Sequence, residues 1–139
     1  MGVRREGREA AVQFLYQNDL GGAAGREEYF RMRGISPSAR RFCEELLGGV
    51  ESRREEVDAL IRSHTRNYEF SRISAVDRNI LRVAISEMLA CPGIPPVVSI
   101  NEAIEIAKKY STEDSGKFVN GILDKIRGEL SRPARTPVE

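Results

Sequence analysis

Apolar residues recur along most of this chain at intervals of three and four, the spacing of one helix face. Ala11, Val12, Leu15 and Tyr16, with Phe14 widening the stripe, predict a first helix over residues 3 to about 19, ended by Gly21-Gly22 and Gly25. Residues 26–33 read as a short helix carrying Tyr29, Phe30 and Met32. Ser36-Pro37 is a start signal, with Ser to accept an orphan helix N–H and Pro pre-set for the first helical position. Phe42, Cys43, Leu46, Leu47 and Val50 then form the face of that helix. Ser52 with Glu55 fits a capping box ahead of Val57, Leu60 and Ile61. A linker from residue 67 to 73 holds two aromatics, and Tyr68 or Phe70 is expected to tuck between two halves of the domain.

The second half repeats the pattern more strongly. Ser74 and Asp77 open a helix whose Val76, Ile80, Leu81, Ala84, Ile85, Met88 and Leu89 predict burial on more than one side. Cys91-Pro92-Gly93 stops it. Val97-Val98, after Pro95-Pro96, reads as an extended lead-in to Ser99, which with Glu102 fits another capping box before Ile100, Ala103, Ile104 and Ala107. Ser111 to Gly116 is turn and cap chemistry, and Val119, Ile122, Leu123, Ile126 and Leu130 stripe a last helix. Residues 131–139 are polar with two prolines and read as a disordered tail. The expectation is an all-α chain of six or seven helices without a sheet. An N-terminal set at about 3–65 and a C-terminal set at about 74–130 are each too small to stand comfortably alone. They should pack as one domain over residues 1–130.

Composition changes this picture in two places. The chain has 139 residues and a formal charge of +1, so net charge argues neither for nor against a polyanionic partner. Its distribution says more: Arg4, Arg5 and Arg8 crowd the N-terminus, and all four lysines (Lys108, Lys109, Lys117, Lys125) fall in the last two helices. Local basic clusters can hold a polyanion on a neutral protein, or can be solvated helix faces. Arg4 and Arg8 share a face, and arginine forks suit phosphate oxygens and guanine edges. Phe118 lies on the flank of the last apolar stripe, beside Lys117 and near a helix start. An aromatic so placed either stacks a base or closes the rim of the core.

Other chemistry is thin. Cys43, Cys91 and His64 cannot supply the usual ligand set of a zinc site, and no metal or cofactor is expected. The cysteines read as reduced and mostly buried, and His64 as a helix-end or surface residue. No nucleophile–base pair can be assembled, so no catalytic residue is expected and the chain reads as no enzyme. With no apolar run of membrane-spanning length and an Arg/Glu-rich start, it reads as cytoplasmic, without a membrane partner.

INEAIEIAKKY followed by STEDSGKFVNGILDKI resembles the C-terminal signature of the NusB family of transcription antitermination factors. RREGREAAVQFLYQ is similar to the family's arginine-rich start and A-V-Q-x-L-Y core, and NYEFSRISAVDRNILRVAISEML to its middle segment. Residues 20–60 match only in helical pattern. The resemblance implies two packed three-helix bundles that bind the boxA element of nascent ribosomal RNA. It implies NusE, a ribosomal small-subunit protein, as co-partner within the antitermination complex on RNA polymerase. Carried onto this sequence, it puts Arg4, Arg5, Arg8, Lys117 and Phe118 on RNA and makes Gln13 a base-edge contact. Asp114 becomes a carboxylate that limits RNA affinity, and Tyr16 and Asp77 become contacts for NusE. Glu6 and Gly7 interrupt an arginine run that is denser in many members, and Tyr68 stands where many carry Trp.

Two other readings compete. The family's fold also opens ribosomal-RNA cytosine methyltransferases, which need a following Rossmann-like domain with a Gly-rich loop, and no such turn occurs here. A helical protein-binding adaptor without RNA binding is discriminated by whether the basic residues and Phe118 converge. Periodicity leaves monomer and homodimer both open.

Overall fold

The computed structural model describes residues 2–22, 25–65 and 70–130. Tyr68 and the tail at 131–139 lie outside them. Seven α-helices occur among the described residues: α1 (Val3–Asp19), α2 (Arg26–Arg33), α3 (Pro37–Ser52), α4 (Arg54–Ser63), α5 (Ala75–Ala90), α6 (Pro96–Tyr110) and α7 (Glu113–Glu129). A single 3-10 turn, Phe70–Arg72, precedes α5, and no strand occurs among the described residues.

Helix α5 is the axle. It packs against α1, α3 and α4 on one side and against α6 and α7 on the other. Its apolar positions run nearly all round, and Ile80, Leu81, Val83, Ala84, Ile85 and Met88 are all buried. An all-round apolar helix must be covered on every side. The core is one continuous cluster running from Ala10 in α1 to Ile126 in α7.

Two starts follow the local rules. The Ala39 amide donates to Ser36 Oγ at 3.3 Å with Pro37 behind it, and the Asp77 amide donates to Ser74 Oγ at 3.1 Å. Both expected capping boxes are absent. Helix α6 begins at Pro96, so Val97 and Val98 are helical rather than a lead-in, and Ser99 is already inside the helix. Ser99 Oγ instead donates to Glu87 of α5, and Glu102 turns to the arginines of α1. Helix α3 runs through Ser52, whose hydroxyl donates to the Gly49 carbonyl, and α4 starts behind Arg53 with no side-chain cap. In each case a tertiary or nearer partner outcompetes the local cap. Phe70 is half-buried under the guanidinium groups of Arg62, Arg78 and Arg82, with Arg62 4.5 Å from the ring centroid.

Glycine sets two helix–helix distances. A methyl at Gly7 would sit 2.9 Å from the Phe42 ring and 3.0 Å from the Ala39 carbonyl oxygen, so α1 meets α3 backbone-close there. A methyl at Gly49 would meet Ser86 of α5 at 2.4 Å. The break that Gly7 makes in the arginine run is therefore a packing requirement. Gly121, by contrast, has open space around its Cα in mid-α7. Gly121→Ala should raise stability by roughly 0.4–1 kcal/mol. Gly7→Ala should lower it by about 1 kcal/mol, because overpacking costing about 1–3 kcal/mol outweighs the gain in helix propensity. Denaturant unfolding of both variants reads the difference in sign.

Candidate nucleic-acid interface

The N-terminal arginines are arranged by what α1 packs against. Glu6 accepts from Ser36 just ahead of α3 at 3.2 Å, while Arg8 and Glu9 find their partners on α5 and α6. Arg8 is only 4% exposed. Its Nε and Nη2 donate to both oxygens of Glu87 at 2.8 and 2.7 Å, while Nη1 reaches Glu102 at 3.4 Å. Glu87 also accepts the Ser99 hydroxyl at 2.6 Å. In this structure Arg8 is buried, and three of its nitrogens are taken by Glu87 and Glu102. Arg5 is half-exposed and forks onto Glu102 at 3.1 and 2.7 Å. Those hydrogen bonds hold the Glu102 carboxyl below the ordinary carboxylate range against the opposing effect of burial. Arg4 is exposed, makes no ion pair among the described residues and lies 5.8 Å from the Phe42 ring centroid.

One turn further along α1, Glu9 is buried and accepts from Lys109 Nζ at 2.8 Å and the Tyr110 hydroxyl at 2.5 Å. Burial works to raise the Glu9 carboxyl, but the Lys109 and Tyr110 hydrogen bonds outweigh it and hold it below the ordinary range. Gln13 is half-buried, with its Oε1 3.4 Å from the Tyr29 hydroxyl. Tyr16 is half-buried near the end of α1.

Helix α6 separates these arginines from α7. Its Glu102 and Lys109 face α1, whereas Ile104 and Lys108 face α7 around Gly116. Lys117 lines a groove of about 250 Å³ together with Ile104, Lys108, Glu113, Gly116 and Asn120. Phe118, one residue and about 100° further round α7, opens on the other side. It is half-buried, packed against the core, and lines a cavity of about 280 Å³ with Arg72, Ile73, Ser74, Asp77, Thr112, Asp114 and Ser115. The predicted residues therefore fall in three places: the α1 flank, the α6–α7 groove and the cavity at the start of α5.

Asp77 gives that cavity its character. It is 8% exposed. Oδ2 accepts the Ser115 hydroxyl at 3.1 Å, and Oδ1 has no hydrogen-bond partner among the described residues. Burial pushes its carboxyl above the ordinary range, although the Ser115 and Ser74 hydrogen bonds pull the other way. Exposed Asp114 adds a second carboxylate at the rim. Sequence reasoning missed Ser115 and Thr112 here, and Glu102 on the α1 flank. Ser115 lies 38 positions from Asp77, and no local spacing reports such a contact.

Fold and surface together define an all-helical domain with an arginine-bearing flank at one end of α1 and an acid-lined aromatic cavity beyond α6. The sequence model of the NusB family matches residues 5–127, and the chain belongs to that family. It is 42% identical to the transcription antitermination protein NusB of Myxococcus xanthus over 140 aligned positions, covering 96% of this chain and all of that protein. The NusB structure from T. maritima superposes with a TM-score of 0.82 at 37% identity, covering 93% of each chain. A NusB chain crystallised with NusE and double-stranded RNA superposes at 0.83 with 29% identity, covering 94% of this chain and 99% of that one.

The raised carboxyl of Asp77 has a testable consequence. Its native form takes a proton more readily than the unfolded chain does, so ionised Asp77 costs stability at neutral pH. Asp77→Asn should equal or exceed the parent in thermal stability at pH 7. The advantage should shrink as pH falls below the native value and vanish below about 3.9, where the carboxyl is protonated in both states. Melting curves from pH 3 to 8 check the sign.

Proposed function

We propose that this chain is an antitermination factor that binds the boxA element of nascent ribosomal RNA together with NusE, supporting processive transcription of ribosomal RNA operons. It acts by binding, and its place is in the antitermination complex on RNA polymerase in the cytoplasm. The observation that carries this reading is the shared cavity of Phe118 and Asp77. The half-buried Phe118 ring, proposed for base stacking, and the Asp77 carboxylate, whose Oδ1 has no hydrogen-bond partner among the described residues, line the same hollow, so one ligand bears on the other's site. The basic residues and Phe118 do not converge on one face, which taken alone fits a protein-only adaptor; the shared cavity and the family membership are what support joint binding. Arg4, Arg5 and Lys117 supply phosphate contacts on either side of α6, and Gln13 a base edge. Asp114, at the cavity rim, lowers affinity by repulsion. Tyr16 joins Asp77 in the NusE contact.

The roles separate by measurement. Phe118→Ala should cost roughly 1–3 kcal/mol of binding to a boxA RNA, with the slope of log K against log salt unchanged. Lys117→Ala should weaken binding and flatten that slope by about one unit, since it removes a charge that releases a counterion. Asp77→Asn should weaken capture of NusE while leaving the fold intact. BoxA binding by Phe118→Ala equal to the parent's would return the ring to the core.

A further inference from the structure

On the α1 flank, the half-exposed Arg5 already commits one bidentate edge of its guanidinium to Glu102. Arg5 is 49% exposed in its side chain, so a ligand can reach it, yet Nε and Nη2 are both spent on Glu102. Two parallel N–H donors on two carboxylate oxygens is the geometry with which an arginine fork holds a phosphate. Glu102 is no loose surface acid. Its side chain is 15% exposed and sits between two guanidinium groups, with Arg8 at 3.4 Å from Oε1. Arg8 is itself fixed by Glu87, which Ser99 holds in turn. The carboxylate is therefore positioned by a buried chain of contacts rather than by its own rotamer preferences.

We propose that Glu102 is a built-in competitor for RNA: its carboxylate occupies the Nε–Nη2 fork of Arg5 in the free protein, and a phosphate must displace it before it can take that fork. This rests on the RNA-binding reading above and adds a residue to it. Glu102 differs from Asp114 in action. Asp114 repels RNA from the rim of another cavity, whereas Glu102 lowers affinity by holding the cation itself. Displacement does not strand Glu102, because Arg8 stays beside it. The same arrangement makes the flank poor at holding polyanions indiscriminately, since a weak phosphate contact cannot replace a preorganised carboxylate.

The test is a double-mutant cycle on a boxA RNA oligonucleotide, with and without NusE, at two salt concentrations. Glu102→Gln should tighten binding roughly two- to fivefold, the range that an exposed ion pair of typical strength corresponds to. It should also steepen the salt dependence, by up to about one unit if the freed Arg5 becomes an added phosphate contact. In an Arg5→Ala background the same substitution should have no more than a marginal effect. Unchanged or weaker binding by folded Glu102→Gln overturns the proposal while leaving the RNA reading in place. A gain that persists undiminished without Arg5 also overturns it, since the effect is then general charge. If the parent protein fails to bind this RNA under every condition, the RNA reading and the competitor fall together. Should Glu102→Gln melt below the assay temperature, Glu102→Asp carries the test, because it retracts the carboxylate by one methylene and keeps its charge.

Discussion

Arg8 of α1 and Glu87 of α5 meet almost out of reach of water, joined at 2.7 and 2.8 Å. Neither charge is tolerable there alone: removing one partner of such a pair typically costs about 3–5 kcal/mol. Ser99 completes the shell of Glu87 from α6, and Glu102 completes that of Arg8. Three helices are thereby held in one register by groups that tolerate little misplacement. Apolar packing alone would let α1 slide on α5 and α6 at small cost, because hydrophobic contact has no direction. The ion pair supplies direction, and the placement of Arg4, Arg5 and Glu9 follows from it.

A second polar knot does the same work at the opposite end of α1. Asp19 accepts from Arg82 at 2.9 Å, Asn79 at 3.0 Å and Arg78 at 3.2 Å, and Arg82 forks onto Asp58 of α4 at 2.8 and 3.1 Å. Burial opposes ionisation of Asp19, but the Asn79 and arginine contacts prevail and keep its carboxyl below the ordinary range. Helix α1 is thus pinned to α5 near both ends. The start of α5, where Asp77 opens the cavity, lies beside the second knot, since Arg78 belongs to it. The Asp77 carboxylate therefore stands on a helix start, not on a loop, and it can stay incompletely hydrogen-bonded because its neighbours are fixed.

What could be read from the chain follows a physical divide. Helix existence and the core faces were legible, because burial of Ile80, Leu81, Ile85 and Met88 or of Val119, Ile122 and Ile126 is written in a local period. The flank position of Phe118 was legible for the same reason, and so was the Ser36-Pro37 start. The fate of polar side chains was not. Ser99 and Glu102 carry the spacing of a capping box, yet α5 and α1 offer them charged partners worth more than a helix-end N–H. Arg4 and Arg8 share a helical face on paper, but the same face is exposed at Arg4 and covered at Arg8. Periodicity tells which side of a helix a residue is on, not how far along the axis the neighbouring helix extends.

The near-neutral charge of this chain acquires a meaning from these pairings. Much of its cationic character is spent internally: Arg8 on Glu87, Arg5 on Glu102, Lys109 on Glu9, Arg78 and Arg82 on Asp19 and Asp58. Non-specific attraction to nucleic acid grows with the number of cations free to displace counterions, and it is the term that salt suppresses. Each cation paired in this way is withdrawn from that term. Under the proposed RNA-binding reading, affinity then leans on contacts that are particular in shape, such as a stacked ring, and on a second protein's surface. On that reading the internal carboxylates serve two ends at once: the contacts that fix the helices also withhold these cations from indiscriminate polyanion binding.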